Sequence, residues 1–163
     1  MSENHYIIPL FVPHEGCPHN CVFCNQNSIT GYTERVTAST VKATVEEYLK
    51  TINRDNSIIE ISFFGGTFTA IPLEKQIELL TVAKYYKDKG LVDFIRLSTR
   101  PDYIDDLILV NLKKFSVDII ELGVQSMDDK VLKLSGRGHS KADTVNASIK
   151  IKEYGFTLGH QIM

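Results

Sequence analysis

Net charge is nearly absent from this chain. Its 18 Lys and Arg stand against 20 Asp and Glu, giving a formal charge of −2, so the whole molecule exerts no pull toward a phosphate backbone and nucleic-acid contact would need a local patch. Lys113-Lys114 and the lysines from Lys84 to Lys89 read instead as solvated helix faces. Long apolar runs are also missing. No stretch has the length to span a bilayer, and the opening MSENHYIIPLFVPHEG has neither the basic flank nor the apolar core of a signal peptide; a cytoplasmic chain without membrane association is expected. Low-complexity linkers and solenoid repeats are absent, which leaves one domain over residues 1–163, with an apolar share of 43% to build its core. Cysteine is scarce and oddly placed: there are 3, all between positions 17 and 24. They cannot pair off completely and are too close together to staple distant elements, which argues for thiolate ligands in a reducing compartment.

The apolar periodicity alternates between strand and helix types. A strand at Tyr6 to Val12 leads into a long loop holding the cysteines. Val41, Val45, Leu49 and Ile52 mark one face of a helix, capped by Ser39 or Thr40. Ser57 to Phe64 is a short β-branched and apolar run of the kind found in strands covered on both faces, stopped by Gly65-Gly66. A helix starting near Pro72 buries Leu73, Ile77, Leu80 and Ala83 and closes at Gly90. Asp93 to Ser98 predicts a third strand, Asp102 to Lys114 a helix, Val117 to Gly123 a fourth strand, and Asp128 to Leu134 and Lys141 to Tyr154 two more helices; Phe156 to Met163 predicts a fifth strand. Such alternation implies right-handed crossovers and a mainly parallel, curved sheet, with function in the loops at the carboxyl strand ends. Five strands cannot close an eight-stranded barrel. The expected fold is therefore α/β, a partial (β/α) barrel truncated after its fifth strand, whose last edge needs covering by another chain, a tail or a homodimer partner.

The chemistry rests on Cys17-Pro18-His19-Asn20-Cys21-Val22-Phe23-Cys24, a C-x3-C-x2-C spacing. Thiolates are the ligands of iron-sulfur clusters, and three of them on a short loop leave one iron of a cubane open to a small molecule. The competing reading is a structural zinc site of the three cysteines with His14 or His19. Surface thiols are a third.

These cysteines, with the aromatic Phe23 before the last of them, resemble the signature of the radical S-adenosylmethionine superfamily. Phe63-Phe64-Gly65-Gly66-Thr67-Phe68-Thr69 resembles its glycine-pair segment, although on its own the glycine pair reads more often as a plain strand-ending turn. Leu97-Ser98-Thr99-Arg100-Pro101-Asp102, then Glu121-Leu122-Gly123-Val124-Gln125-Ser126, then Gly136-Arg137-Gly138-His139 resemble the branch that contains the Elongator catalytic subunit and oxygen-independent coproporphyrinogen oxidase. The resemblance runs from Pro9 to Met163. It implies a 4Fe-4S cluster on Cys17, Cys21 and Cys24, and reductive cleavage of S-adenosylmethionine to methionine and a 5′-deoxyadenosyl radical. It further implies that Gly65, Gly66 and Thr67 place the methionine end, that Phe23 meets the adenine, that Gln125 and Arg137 hold ribose or carboxylate, and that Ser98 lies beside them. Where the coproporphyrinogen oxidases carry a glutamate near Ser98-Thr99, this chain has none. Ser98, Arg100 and His139 have a second reading as exposed loop polarity; Tyr6, Tyr32 and His160 are candidates for lining the pocket. The implied partners are a reductant such as ferredoxin or flavodoxin, with tRNA entering as substrate by analogy alone. A chain that binds the cluster without turnover remains the alternative.

Overall fold

A computed structural model describes residues 4–12, 19, 21–24 and 36–163. Five strands, β1 (Asn4–Val12), β2 (Ser57–Gly65), β3 (Phe94–Thr99), β4 (Ile119–Gln125) and β5 (Thr157–Ile162), form one sheet in chain order. Every adjacent pair is parallel. Between them run α1 (Ala38–Leu49), α2 (Leu73–Asp88), α3 (Asp106–Lys114), α4 (Asp129–Leu134) and α5 (Lys141–Glu153), with short 3-10 turns at Phe68–Ala70 and Pro101–Tyr103. The order is the βα alternation that the sequence predicts, and the sheet is parallel throughout.

The helix ends follow local chemistry. The α1 cap is Thr37, whose side chain accepts from the Thr40 N–H at 3.2 Å; Ser39 and Thr40, the expected caps, fall inside the first turn. Asp105, Asp128 and Ser140 cap α3, α4 and α5, the last through a reciprocal capping box with Asp143. On α2, Leu80 and Ala83 are buried as expected, but Leu73 is exposed and Ile77 only half-buried. Gln76 and Leu79 take those places. Gln76 does so because its Nε2 donates to the carbonyls of Thr69 and Ile71, tying the helix start to the preceding turn.

Register sorts the strand residues onto two faces. Ile61 pairs with Ile95, Phe63 with Leu97, and Leu97 with Ile120, so one face is apolar and packs on Val41, Val45, Leu80, Ala83, Leu109 and Leu112 of the helices. The other face pairs Ser62 with Arg96 and Ser98 with Glu121. It is polar, and part of it is deeply buried: Glu60 and Ser62 have no exposure. Arg96 Nη2 donates to Glu60 Oε2 at 3.1 Å, and its Nε stands 2.9 Å from Oε1 without hydrogen-bond alignment. His5 Nε2 lies 3.3 Å from the same carboxylate, and Ser62 Oγ donates to it. β2 is thus covered on both faces, as its sequence predicts, but the face that carries Glu60 and Ser62 is polar. Among the described residues, no helix is long and apolar enough to cross a membrane.

Candidate functional site

Parallel strands bring all their carboxyl ends to one rim. There a cavity of 510 Å³ draws its lining from the ends of all five strands and from the cysteine segment. A larger groove of 750 Å³ lies elsewhere, between α1 and α2, and is lined by Leu49, Val82 and Tyr85; it holds no thiol and none of the motif residues.

Cys21 is buried and Cys24 half-buried, and both face the rim cavity. The Cys24 N–H donates to the Cys21 carbonyl at 2.9 Å, closing the C-x2-C step as a turn. Phe23 is exposed beside them. Cys17, His14 and Tyr32 lie outside the described residues. Among the described residues no three metal-ligating side chains gather, so His19 does not complete a set with Cys21 and Cys24. Its ring sits where a side chain on Gly138 would be, 2.2 Å from the position of a Cβ.

At the end of β2, Gly65 adopts φ 108°, and a Cβ there would stand 2.7 Å from the Val12 carbonyl oxygen. Only glycine lets β1 and β2 end side by side in this way. The Gly66 N–H donates to that carbonyl at 3.0 Å. The glycine pair is therefore a strand-ending turn and also a wall of the cavity, with Thr67 next to it.

Ser98, Gln125 and Arg137 complete the predicted set, so every described member of it lines one cavity. Gln125 ends β4 with φ 65°, a left-handed conformation that costs a non-glycine residue about 1–2 kcal/mol. Arg137 is buried, and its Nη2 donates to the Gly123 carbonyl at 2.6 Å. Gly123 leaves room for it, since a Cβ would lie 2.7 Å from Nη2. Arg100 is buried too, forked onto Asp102 by two bonds of 2.9 Å.

Three expectations are corrected here. His139 is not exposed loop polarity: it is 5% exposed, with Nε2 3.1 Å from the Val124 carbonyl. Tyr6 shares by alternation the helix-facing side of β1 with Ile8 and Leu10. His160 is bonded to Ser148 of α5 and likewise stands off the cavity. Phe11, which lies outside every motif, and Phe64 and Glu121, which lie inside motif segments but had no role assigned, also line the cavity. Phe11 and Phe64 pack with ring centroids 6.2 Å apart, and Ser98 Oγ donates to Glu121 at 3.1 Å, so the neighbouring strand brings a carboxylate beside Ser98. Their signal was the period of two along β1, β2 and β4, which places them on the polar face.

Burial first, then the Arg137 and Arg100 charges, lowers the pKa of His139, with Asp102 and the Val124 carbonyl opposing. A folded pKa below the unfolded value of about 6.5 means that the unfolded chain binds the extra proton, so this histidine's contribution is intact above that pH and is lost as pH falls through it. The urea midpoint should therefore drop between pH 7.5 and 5.5, and His139→Gln should flatten that drop. Equal slopes in the two proteins would refute the assignment.

The sequence matches the Radical SAM superfamily over residues 11–163. It is similar to a tRNA uridine(34) acetyltransferase of Methanocaldococcus infernus, with 28% identity over 184 residues that cover 90% of this chain and 34% of that protein. It is also similar to the oxygen-independent coproporphyrinogen-III oxidase-like protein HemZ of Bacillus subtilis, with 29% identity over 149 residues covering 85% of this chain and 29% of that one. The fold is similar to that of the archaeal Methanocaldococcus infernus Elp3 with an N-terminal deletion: TM-score 0.70, 23% identity, 100% of this chain and 38% of that one. The α/β arrangement, with five parallel strands in one sheet, is the partial barrel that the sequence predicts. The chain spans about a third of the length of these relatives.

Proposed function

Because the chain belongs to the Radical SAM superfamily, we propose that it holds a 4Fe-4S cluster on Cys17, Cys21 and Cys24 and cleaves S-adenosylmethionine reductively. The observation that carries this reading is the convergence of the Cys21 and Cys24 thiols with the Gly65-Gly66 turn on one cavity. The donor set fits the group, since soft sulfur ligands suit iron-sulfur clusters. A buried Arg137 Nε without a hydrogen-bond partner among the described residues favours an anionic occupant beside it. When bound and reduced, such a cluster supplies one electron to the sulfonium, releasing methionine and a 5′-deoxyadenosyl radical that abstracts hydrogen from a substrate.

The chain's own residues do the positioning. Gly65, Gly66 and Thr67, which line the cavity, present backbone groups to the methionine end. Phe23 offers an aromatic face to the adenine, and Gln125 with Arg137 holds the ribose or the carboxylate. Ser98, with Glu121 behind it, borders the same space. Phe11 and Phe64 form an apolar wall that helps to exclude water from a reactive radical.

The relative named for tRNA uridine(34) makes tRNA the first substrate to test. A ferredoxin or flavodoxin would serve as reductant, and a second copy pairing along β5 would cover that edge. The test is anaerobic reconstitution with iron and sulfide, dithionite reduction, electron paramagnetic resonance with and without S-adenosylmethionine, and an assay for 5′-deoxyadenosine. A reduced-cluster signal that shifts with S-adenosylmethionine, together with deoxyadenosine, is expected. A cluster without either response would leave a binding core without turnover, and zinc in place of iron would overturn the reading.

A further inference from the structure

The segment after α4 clasps the cysteine loop through consecutive residues. The Ser135 carbonyl accepts from the Val22 N–H at 3.1 Å, and the Gly136 carbonyl lies 3.7 Å from Cys21 Sγ. Arg137 Nη1 lies 3.8 Å from the same sulfur, and Gly138 makes room for His19. Gly136 and Gly138 flank the arginine at φ 67° and 84°, conformations that glycine adopts without strain. Their effect is to aim one guanidinium at one sulfur.

That guanidinium is buried and, among the described residues, has no carboxylate counter-ion. Among the described residues no carboxylate comes within 4.0 Å of Arg137, whereas its neighbour Arg100 is forked onto Asp102. Nη2 is spent on the Gly123 carbonyl, and Nε has no hydrogen-bond partner among the described residues. A buried charge left this way is expensive unless an anion completes its surroundings. The nearest group that becomes anionic in a metal centre is the Cys21 sulfur, since a ligating cysteine is a thiolate.

We infer that Arg137 is the cationic partner of the Cys21 sulfur and raises the reduction potential of the cluster held there. The inference rests on the cluster reading above and adds to it a role that Arg137 plays before any S-adenosylmethionine is bound. Reduction adds negative charge to a group whose potential responds to net charge and to hydrogen bonds on its sulfurs. A cation fixed by the Gly123 carbonyl therefore favours the reduced state, in a low-dielectric setting where its field is weakly screened.

The test is a redox titration followed by electron paramagnetic resonance, without S-adenosylmethionine, on reconstituted wild-type protein, Arg137→Met and Arg137→Lys. Arg137→Met should lower the ratio of reduced to oxidised cluster at a given potential by roughly tenfold, which is about 59 mV for one electron. Arg137→Lys, which keeps the charge without the fork, should recover part of that shift. An unchanged potential in Arg137→Met overturns the inference even if the variant binds less iron, because a clasp that only holds the loop alters occupancy and not potential. If Arg137→Met retains no cluster, Arg137→Gln against Arg137→Lys decides: equal potentials in that pair overturn the inference, and a lower one in Arg137→Gln upholds it. Failure of the wild type itself to take up a cluster would overturn the underlying reading and this inference together.

Discussion

Cys21→Ala, Cys24→Ala and Cys17→Ala are each expected to abolish the iron-dependent absorption of the reconstituted protein. Two thiolates rarely retain a cubane, and no described His, Asp or Glu joins Cys21 and Cys24 as a substitute ligand. Cys21 should show the effect most completely. Its sulfur is buried and lies against both Arg137 and the Gly136 carbonyl, so its loss removes a ligand and opens the contact that holds the loop to the segment after α4. Cys24 is half-buried on the cavity side of the same turn, and its replacement should leave the fold untouched while removing the cluster. The readout is visible absorption with iron and sulfide analysis, set beside a far-ultraviolet circular dichroism spectrum to show that each variant folds. Undiminished absorption in all three variants would sink the cluster assignment. Zinc bound with the same cysteine dependence would replace it with a structural metal site.

The fold was legible because period and punctuation agreed. The β-branched run from Ile58 to Phe63 was preceded by Asp55-Asn56 and stopped by Gly65-Gly66, and Gly90 and Gly155 fell just past α2 and α5 with φ of 68° and 73°. Legibility failed where a side chain is placed by a particular hydrogen bond and not by the apolar period. Thr37 outcompeted Ser39 and Thr40 as a cap because the chain reaches the helix with Thr37 extended, which no periodicity encodes. Gln76 is buried because it serves the carbonyls of Thr69 and Ile71, and His139 because its Nε2 lies 3.1 Å from the carbonyl of Val124 in β4. At the site, motifs found the thiols, the glycine pair, Gln125 and Arg137. They missed Phe11 and gave Phe64 and Glu121 no role, because the place of all three depends on strand parity and register. The same parity explains the misplacement of Tyr6 and His160, one residue out of phase with the cavity face.

Arg96→Met is expected to destabilise the fold by about 3 kcal/mol, the low end for breaking one partner from a buried ion pair. The carboxylate concerned, Glu60, has no exposure, and among the described residues Arg96 is its one guanidinium partner, held by a 3.1 Å hydrogen bond and a 2.9 Å contact. His5 approaches to 3.3 Å, but nearly half of its side chain is in solvent, so it cannot replace a fixed cation. Ser62 donates one hydrogen bond, which meets a fraction of the acceptor capacity of a carboxylate. Arg96 keeps 24% of its side chain exposed, and that solvent contact is why the low end of the range is expected. In urea the midpoint should fall while the slope stays constant, since the surface exposed on unfolding is unchanged. The double variant Glu60→Leu with Arg96→Met should recover most of the loss, because removing both charges leaves no unpaired group behind. A loss below about 0.5 kcal/mol in Arg96→Met would mean that water or His5 already satisfies Glu60.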